Sequence, residues 1–260
     1  MSDPACTVSI VDHNEQLTQL KRDSAALSAV VTTADLTTAV PSCPGWSLSD
    51  LAYHVAAVYQ HKIAAMRTGR RPDPWPPEPL EGWRLAPVPE FLAQSSHELL
   101  AELSARDPAQ ACWTWYAEDQ TVGFWARRMA QETVIHRWDA ERAVGAAAPI
   151  DARVAADGID ELLVAFLSGD WSDDPQPGPA GFIDVVGAAD RWRVGLRPDV
   201  VTVLRSPAGS ASSNPPDATI SGSDEELLLA LWGRRRPLPA AVGDRSLVDG
   251  LRNRLALVSQ

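Results

Sequence analysis

The fold of the first half of this chain is decided by the stretch Trp125-Ala126-Arg127-Arg128-Met129-Ala130-Gln131-Glu132-Thr133-Val134-Ile135-His136-Arg137-Trp138-Asp139. It reads as a helix, because one set of positions recurs at steps of four and three residues, as on a core-facing helix. That inward stripe consists of Trp125, Met129, Glu132, His136, Asp139 and Ala143. The opposite face carries Arg127, Gln131, Arg137 and Glu141, and we expect it to be solvated.

Glu132 and His136 lie four residues apart on this stripe, so their side chains point the same way. Burying a carboxylate and an imidazole in a helical core is costly unless a metal, a proton partner or a water-filled cavity receives them. The pair alone is a weak signal, since Glu and His at this spacing are common on helix surfaces. Its place on the apolar stripe strengthens the case for a metal site but leaves an ordinary core pair as the alternative.

A third ligand is expected from a second helix. Ser47 with Asp50 three residues on is an approximate capping box, which opens a helix through about Thr68. The inward stripe of this helix includes His54, which is either the third ligand or a hydrogen-bonded core histidine. Two His and one Glu around a cation, with one position open, is a ligand set of catalytic zinc.

The sequence leaves the roles of two further residues, His61 and Asp139, open. His61 lies two turns after His54, roughly 10 Å along the axis, so it is not expected to join the same metal, and a core or pocket histidine is favoured. Asp139 follows His136 by about one turn. It either orients the imidazole of a ligand or serves as a plain ion-pairing or capping group.

The predicted architecture is α+β in two domains. Helices over about 12–31, 47–68, 90–104 and 122–144 predict a four-helix bundle in residues 1–150, and the 72–89 connection with Trp75 and Trp83 predicts a pocket rim. Residues 151–179 predict a linking helix and a linker. Residues 180–260 predict a small domain with a short, mainly antiparallel sheet, whose expected strands and helices are 182–186, 192–196, 200–204, 218–220, 224–232 and 246–257.

Composition excludes some classes of function. A net charge of -11 and a pI near 4.9 argue against nucleic-acid binding, which needs clustered Lys and Arg. No apolar run approaches the roughly 20 residues of a membrane span, and no signal peptide is evident, so we expect a cytoplasmic protein without a membrane partner. An odd number of cysteines, three, argues against a disulfide framework, and Cys43 in a tight Pro-flanked turn is expected to be structural rather than reactive.

Three segments together resemble the mycothiol-dependent maleylpyruvate isomerase family of actinobacteria. They are Val40-Pro41-Ser42-Cys43-Pro44-Gly45-Trp46 with the helix start through Val55, the run from Phe124 to Glu141, and the tail from Ala218 through Leu231-Trp232-Gly233-Arg234. The first two segments are specific, and the tail is weaker. The resemblance implies a DinB-like four-helix bundle followed by an α+β domain similar to sterol carrier proteins.

The resemblance also implies a chemistry. The family's zinc ligands fall on His54, Glu132 and His136, and its functional arginine near the end of the second domain matches Arg234 best, with Arg235 and Arg236 as alternatives in register. Zinc, or another divalent metal, would bind mycothiol as a thiolate that attacks a small electrophile. The product is released as an isomer in an isomerase or as a conjugate in an S-transferase. Arg234 would contact substrate or thiol.

A second class of function remains open at this stage. A non-catalytic metal- or ligand-binding stress-response protein would keep the same bundle, with or without the metal, although no ligand is missing here. We expect a monomer or a homodimer.

Overall fold

The computed structural model of the protein describes residues 10–73, 87–210, 214–235 and 239–259. The chain forms two compact units, Met1–Ala148 and Pro149–Gln260. The first is helical and the second combines helices with a sheet, so the predicted α+β fold is confirmed. Residues 151–179, predicted to link the two domains, are part of the second unit. Trp75, Trp83 and Arg236 lie outside the described residues.

Within its described residues, the first unit is built from four long helices. They are α1 (His13–Thr33), α2 (Leu48–Thr68), α3 (Val88–Ser104) and α4 (Val122–Ala143). The helix α1 packs against α3 and α4, and α2 packs against the same two helices. The core between them is made of side chains that exclude water almost completely: Leu20, Leu27, Leu51, Val55, Leu92, Leu99, Trp125 and Met129.

The predicted solvated face of α4 is wrong. Gln131, Arg137 and Glu141 are all buried, with 2%, 3% and 9% of their surface exposed. The reason is that α4 lies between α1 and α2, so a second helix covers the face opposite the inward stripe. Arg137 illustrates the contact, because its Nε lies 3.6 Å from a carboxylate oxygen of Asp23 on α1. Periodicity along α4 alone does not contain this information.

The part of the second unit that the structure describes holds a six-stranded sheet and three more helices. The helices are α5 (Ala152–Asp160), continued by a π-helical segment (Glu161–Leu167), α6 (Asp224–Leu231) and α7 (Arg245–Val258). The strands are β1 (Gly169–Asp170), β2 (Gly181–Val186), β3 (Asp190–Leu196), β4 (Val200–Pro207), β5 (Ala218–Ser221) and β6 (Ala241–Gly243). The four expected strands are present. The sequence missed β1 and β6, which are too short to display an alternating pattern.

The strand order is β1-β4-β3-β2-β5-β6, with β2 and β5 parallel and the other neighbours antiparallel. This confirms a mainly antiparallel sheet. Its buried face carries Ile183, Val185, Trp192 and Val194, and α7 packs against β2. Among the described residues, no helix has both the length and the apolar character required to cross a membrane.

Candidate metal centre

The start of α2 is fixed by a tight turn. The backbone N–H of Val40 donates to the carbonyl of Trp46, and the N–H of Trp46 donates to that of Cys43. Gly45 takes a φ of 87°, a left-handed conformation that favours glycine. Ser47 then caps the helix, and its hydroxyl accepts a hydrogen bond from the N–H of Asp50. The turn and cap together set the point at which α2 begins, and therefore where His54 lies two turns later.

His54, Glu132 and His136 are brought together between α2 and α4. Nε2 of His54 lies 3.2 Å from Oε1 of Glu132, and Nε2 of His136 lies 3.3 Å from the same oxygen. One donor atom from each residue lies within 4.8 Å of the others. The ring of His54 is 38% exposed, whereas His136 is buried, so the cluster is open to solvent on the α2 side.

The donor set fits a small divalent cation. Ligands about 2.0–2.2 Å from a tetrahedral zinc are separated from one another by roughly 3.4 Å. The distances of 3.2 Å and 3.3 Å between nitrogen and oxygen are close to that separation. Two imidazoles and one carboxylate occupy three positions of a tetrahedron, which leaves a fourth for another ligand. The three side chains present are therefore suited to zinc in number, type and spacing.

The second oxygen of Glu132 is held by a buried arginine. Nη2 of Arg128 donates to Oε2 of Glu132 at 2.5 Å, and Arg128 has only 5% of its surface exposed. Burial raises the pKa of Glu132, but His136, His54 and Arg128 outweigh that effect and hold the pKa well below its usual range. Glu132 is thus an anion, as a metal ligand must be.

His136 is oriented through its other ring nitrogen. Nδ1 lies 3.1 Å from Oδ2 of Asp139, whose side chain is completely buried. Burial lowers the pKa of His136, but Glu132 and Asp139 outweigh it and raise the pKa well above its usual value. The contact with Asp139 places the Nδ1 hydrogen on that side and directs Nε2 toward Glu132 and His54.

A second cluster shares His136. Donor atoms of Cys43, His136 and Asp139 also lie within 4.8 Å of one another, and Sγ of Cys43 is 3.6 Å from Oδ2 of Asp139. Asp139 is already the hydrogen-bond partner of Nδ1, and its side chain has no exposed surface. A site there would offer no open position to an incoming molecule. We therefore interpret Cys43 and Asp139 as groups that support the histidine.

Two neighbours of the cluster carried no role in the sequence analysis. The Trp46 ring lies beside both imidazoles, with centroid distances of 4.9 Å to His54 and 6.4 Å to His136. Arg128 neutralises part of the charge of Glu132. The spacing of Arg128 and Glu132, four residues on one helix, is a signal that would have indicated their pairing. No comparable signal pairs Trp46 with the histidines, because that contact depends on the turn before α2.

Arg234, the predicted contact for substrate or thiol, belongs to the second unit. It follows the C-terminal end of α6, where its Nη1 donates to the carbonyl of Trp232 at 2.9 Å. Arg234 also lines a cavity of about 600 Å³ together with Arg235, Arg252 and Asn253. The neighbouring Arg235 forms an ion pair with Glu226, at 2.9 Å.

Comparison with known proteins agrees with this architecture. The family model of the mycothiol maleylpyruvate isomerase N-terminal domain matches residues 17–141, and that of the MDMPI C-terminal domain matches residues 153–250. Among curated proteins, none matches the chain significantly.

Two solved structures share the fold. One is a mycothiol-dependent maleylpyruvate isomerase, with a TM-score of 0.60 and 18% identity. The other is a histidine-to-alanine mutant of a mycothiol-dependent maleylpyruvate isomerase, with a TM-score of 0.61 and 14% identity. Each match covers 92% of this chain and 97% of the other. With both halves of the chain matched by models of one family, this protein belongs to the mycothiol-dependent maleylpyruvate isomerase family, a family of enzymes.

Proposed function

We propose that this protein is a zinc-dependent enzyme that uses mycothiol as cosubstrate and adds its thiol to a small electrophile, either as an isomerase or as an S-transferase. The observation that carries the proposal is the meeting of His54 and His136 on one oxygen of Glu132, in a chain of this family. Other divalent metals also accept such ligands, and we favour zinc because two imidazoles and a carboxylate suit its tetrahedral preference.

Each residue around the proposed metal has a separate task. A cation bound by His54, Glu132 and His136 would supply a Lewis acid that lowers the pKa of a thiol, so that the thiolate is available at neutral pH. Arg128 keeps Glu132 ionised and in place through Oε2. Asp139 holds the ring of His136 in the orientation that presents Nε2. A thiol would approach the metal from the side of His54, because the His54 ring is partly exposed.

Arg234, in the second unit, also has a role in the proposed function. A guanidinium forms strong paired hydrogen bonds with carboxylates and also binds neutral oxygen acceptors. Its place in a cavity of about 600 Å³ gives it room for a small ligand. We propose that Arg234 contacts the substrate or polar groups of the thiol.

Removal of either histidine tests the metal centre. We expect His54→Ala and His136→Ala each to purify with less than about a tenth of the wild-type zinc, because only two ligands remain. Zinc per chain is measured by elemental analysis. His97→Ala, at an exposed position on α3, is the matched control and should keep its zinc. Full metal content in both site variants would show that the metal site is wrong.

Experiments with mycothiol distinguish an enzyme from a non-catalytic binding protein. Calorimetric titration of the zinc-loaded protein with mycothiol should give binding, and incubation with mycothiol and small electrophiles should consume thiol faster than in protein-free buffer. Thiol binding should disappear in His136→Ala. A zinc-loaded protein that neither binds mycothiol nor accelerates thiol consumption would favour the non-catalytic alternative.

Asp139→Asn tests how the ligand His136 is oriented. We expect roughly a 10- to 100-fold loss of zinc affinity, the usual cost of removing a carboxylate that supports a ligand histidine. Affinity is measured by competition with a chromogenic chelator. Cys43→Ser is the comparison, because serine keeps a donor for Asp139, and its affinity should stay within a few fold of wild type. Unchanged affinity in Asp139→Asn would make Asp139 a purely structural group.

A further inference from the structure

The two histidines of the candidate metal centre are held in different ways. Nδ1 of His136 has a protein partner, the buried carboxylate of Asp139, at 3.1 Å. Among the described residues, the hydrogen-bonding contact of His54 is with Glu132, through Nε2 at 3.2 Å, and its Nδ1 is not buried. A carboxylate behind a ligand histidine fixes the orientation of the ring, whereas exchangeable water at Nδ1 does not. The orientation of His54 therefore needs another source.

The indole ring of Trp46 packs against the His54 ring. Their centroids are 4.9 Å apart and their planes are inclined by 53°. A second ring beside His54 is that of His136, at 5.2 Å and 74°. These separations lie in the range of packed aromatic pairs. The torsion that turns an imidazole has broad preferences of its own, so the neighbouring rings decide which orientation His54 adopts.

Trp46 is itself held by the turn that precedes α2. Its carbonyl accepts from the N–H of Val40 at 2.9 Å, and its N–H donates to the carbonyl of Cys43 at 3.0 Å. Ser47, the next residue, caps α2. Both backbone polar groups of Trp46 are thus engaged, so its ring is carried on a fixed piece of backbone. The support for His54 is therefore in place before any metal binds.

The same turn also reaches the groups around the other histidine. Sγ of Cys43 lies 3.6 Å from Oδ2 of Asp139, the carboxylate that meets Nδ1 of His136. The ring of Trp46 lies 6.4 Å from that of His136, with an inclination of 22°. The closer ring contact of Trp46 is the one with His54. Among the described residues, this is also the histidine whose Nδ1 has no carboxylate behind it.

We propose that Trp46 is a positioning residue that holds the His54 ring, by aromatic packing, in the orientation that presents Nε2 to Glu132 and His136. Trp46 does for His54 what Asp139 does for His136. The inference rests on the proposed function only for the zinc that these nitrogens would bind, because the orientation of the ring is a property of the metal-free chain. Preorganised ligands bind a metal more tightly, since no ring has to be ordered when the metal arrives.

Zinc affinity tests the consequence of this packing. We expect Trp46→Ala to lose roughly 10- to 100-fold, the range for removing a group that orients a ligand histidine. Trp46→Phe should recover most of the affinity because it restores a flat ring, whereas Trp46→Leu fills space without one and should bind more weakly than Trp46→Phe. Affinity is measured by chelator competition on protein that circular dichroism shows to be folded. Trp115→Ala is the matched control, because Trp115 is an exposed tryptophan that contacts Tyr116 and Phe124.

Nuclear magnetic resonance of the metal-free protein tests the packing directly. With isotope-labelled histidine, the ring signals of His54 are assigned by their loss in His54→Ala. We expect the ring current of the indole to displace the wild-type His54 signals from those of His97, which is exposed on α3. In Trp46→Ala the His54 signals should move toward those of His97. The signals of His136 should move less, because Asp139 still holds that ring.

The outcomes distinguish this inference from the proposed function. If Trp46→Ala keeps the wild-type zinc affinity, or if the His54 signals do not move in it, Trp46 does not hold the ring and the inference is overturned. Equal affinities of Trp46→Leu and Trp46→Phe would overturn it as well, because packing volume alone would then be sufficient. A wild-type protein that binds no zinc, or binds zinc but no mycothiol, contradicts the proposed function. The metal-free spectra decide the role of Trp46 in either case.

Discussion

Glu132→Gln is expected to lose more than about 100-fold in zinc affinity and nearly all thiol-dependent activity. The amide keeps the shape of the side chain but removes the negative charge that both histidines and Arg128 face. A ligand substitution should exceed the 10- to 100-fold cost of losing a supporting residue. Glu132→Gln also leaves the buried Arg128 guanidinium without its carboxylate, so we expect the metal-free protein to be less stable by about 3 kcal/mol.

Two measurements check this expectation. Zinc affinity is obtained by chelator competition, and the free energy of unfolding by urea titration of the chelator-treated protein. Glu118→Gln, at an exposed position between α3 and α4, is the matched control and should resemble wild type in both. Glu132→Asp keeps the charge but retracts it by one methylene, so we expect a loss smaller than that of Glu132→Gln. Wild-type zinc affinity in Glu132→Gln would contradict the proposed centre.

Arg137→Ala is expected to destabilise the first unit by about 3–5 kcal/mol, the cost of breaking a buried ion pair from one side. Arg137 donates to Oε2 of Glu141 at 2.7 Å and to the carbonyl of Ala148 at 2.9 Å, and its Nε lies 3.6 Å from Asp23. Its removal leaves Asp23 and Glu141 with less compensation in buried surroundings. Burial already raises the pKa of Asp23 against the opposing effect of Arg137.

Urea unfolding followed by tryptophan fluorescence measures this loss. Arg142→Ala is the matched control, because Arg142 lies on the same helix five residues later and is exposed. Its effect should not exceed about 1 kcal/mol, the typical contribution of a cation near a helix C-terminus. A loss in Arg137→Ala no larger than that in Arg142→Ala would contradict the role assigned to the buried network.

The sequence was sufficient to predict the long helices and the three residues that meet at the candidate metal centre. The start of α2 was predicted closely because its signal is local, namely the Ser47 capping box. Glu132 and His136 share a face because of a fixed helical spacing, so no tertiary information was needed to pair them. The short strands β1 and β6 were missed because two or three residues are too few to show the alternation of polar and apolar residues that marks a strand.

The surroundings of those residues could not be predicted in the same way. Arg137 and Gln131 were expected in solvent, yet they are buried because α1 covers the second side of α4. Trp46 meets His54 and His136 only because the Gly45 turn brings it back over the start of α2. In both cases the partner comes from a distant part of the chain, and its position depends on how the helices pack.

By itself, then, the sequence determined the helical stripe, the residues His54, Glu132 and His136, and the α+β architecture. These follow from spacings of three to four residues and from local caps, which the order of the amino acids specifies directly. Only the tertiary structure decided that Trp46 lies beside His54 and His136, that Arg137 is buried against Asp23 of α1, and that the Lys62 ammonium lies over the Trp125 ring. The physical reason is that the surroundings of a charged side chain depend on which distant elements pack around it. Nothing in the local sequence of a helix shows whether a polar residue on it is buried.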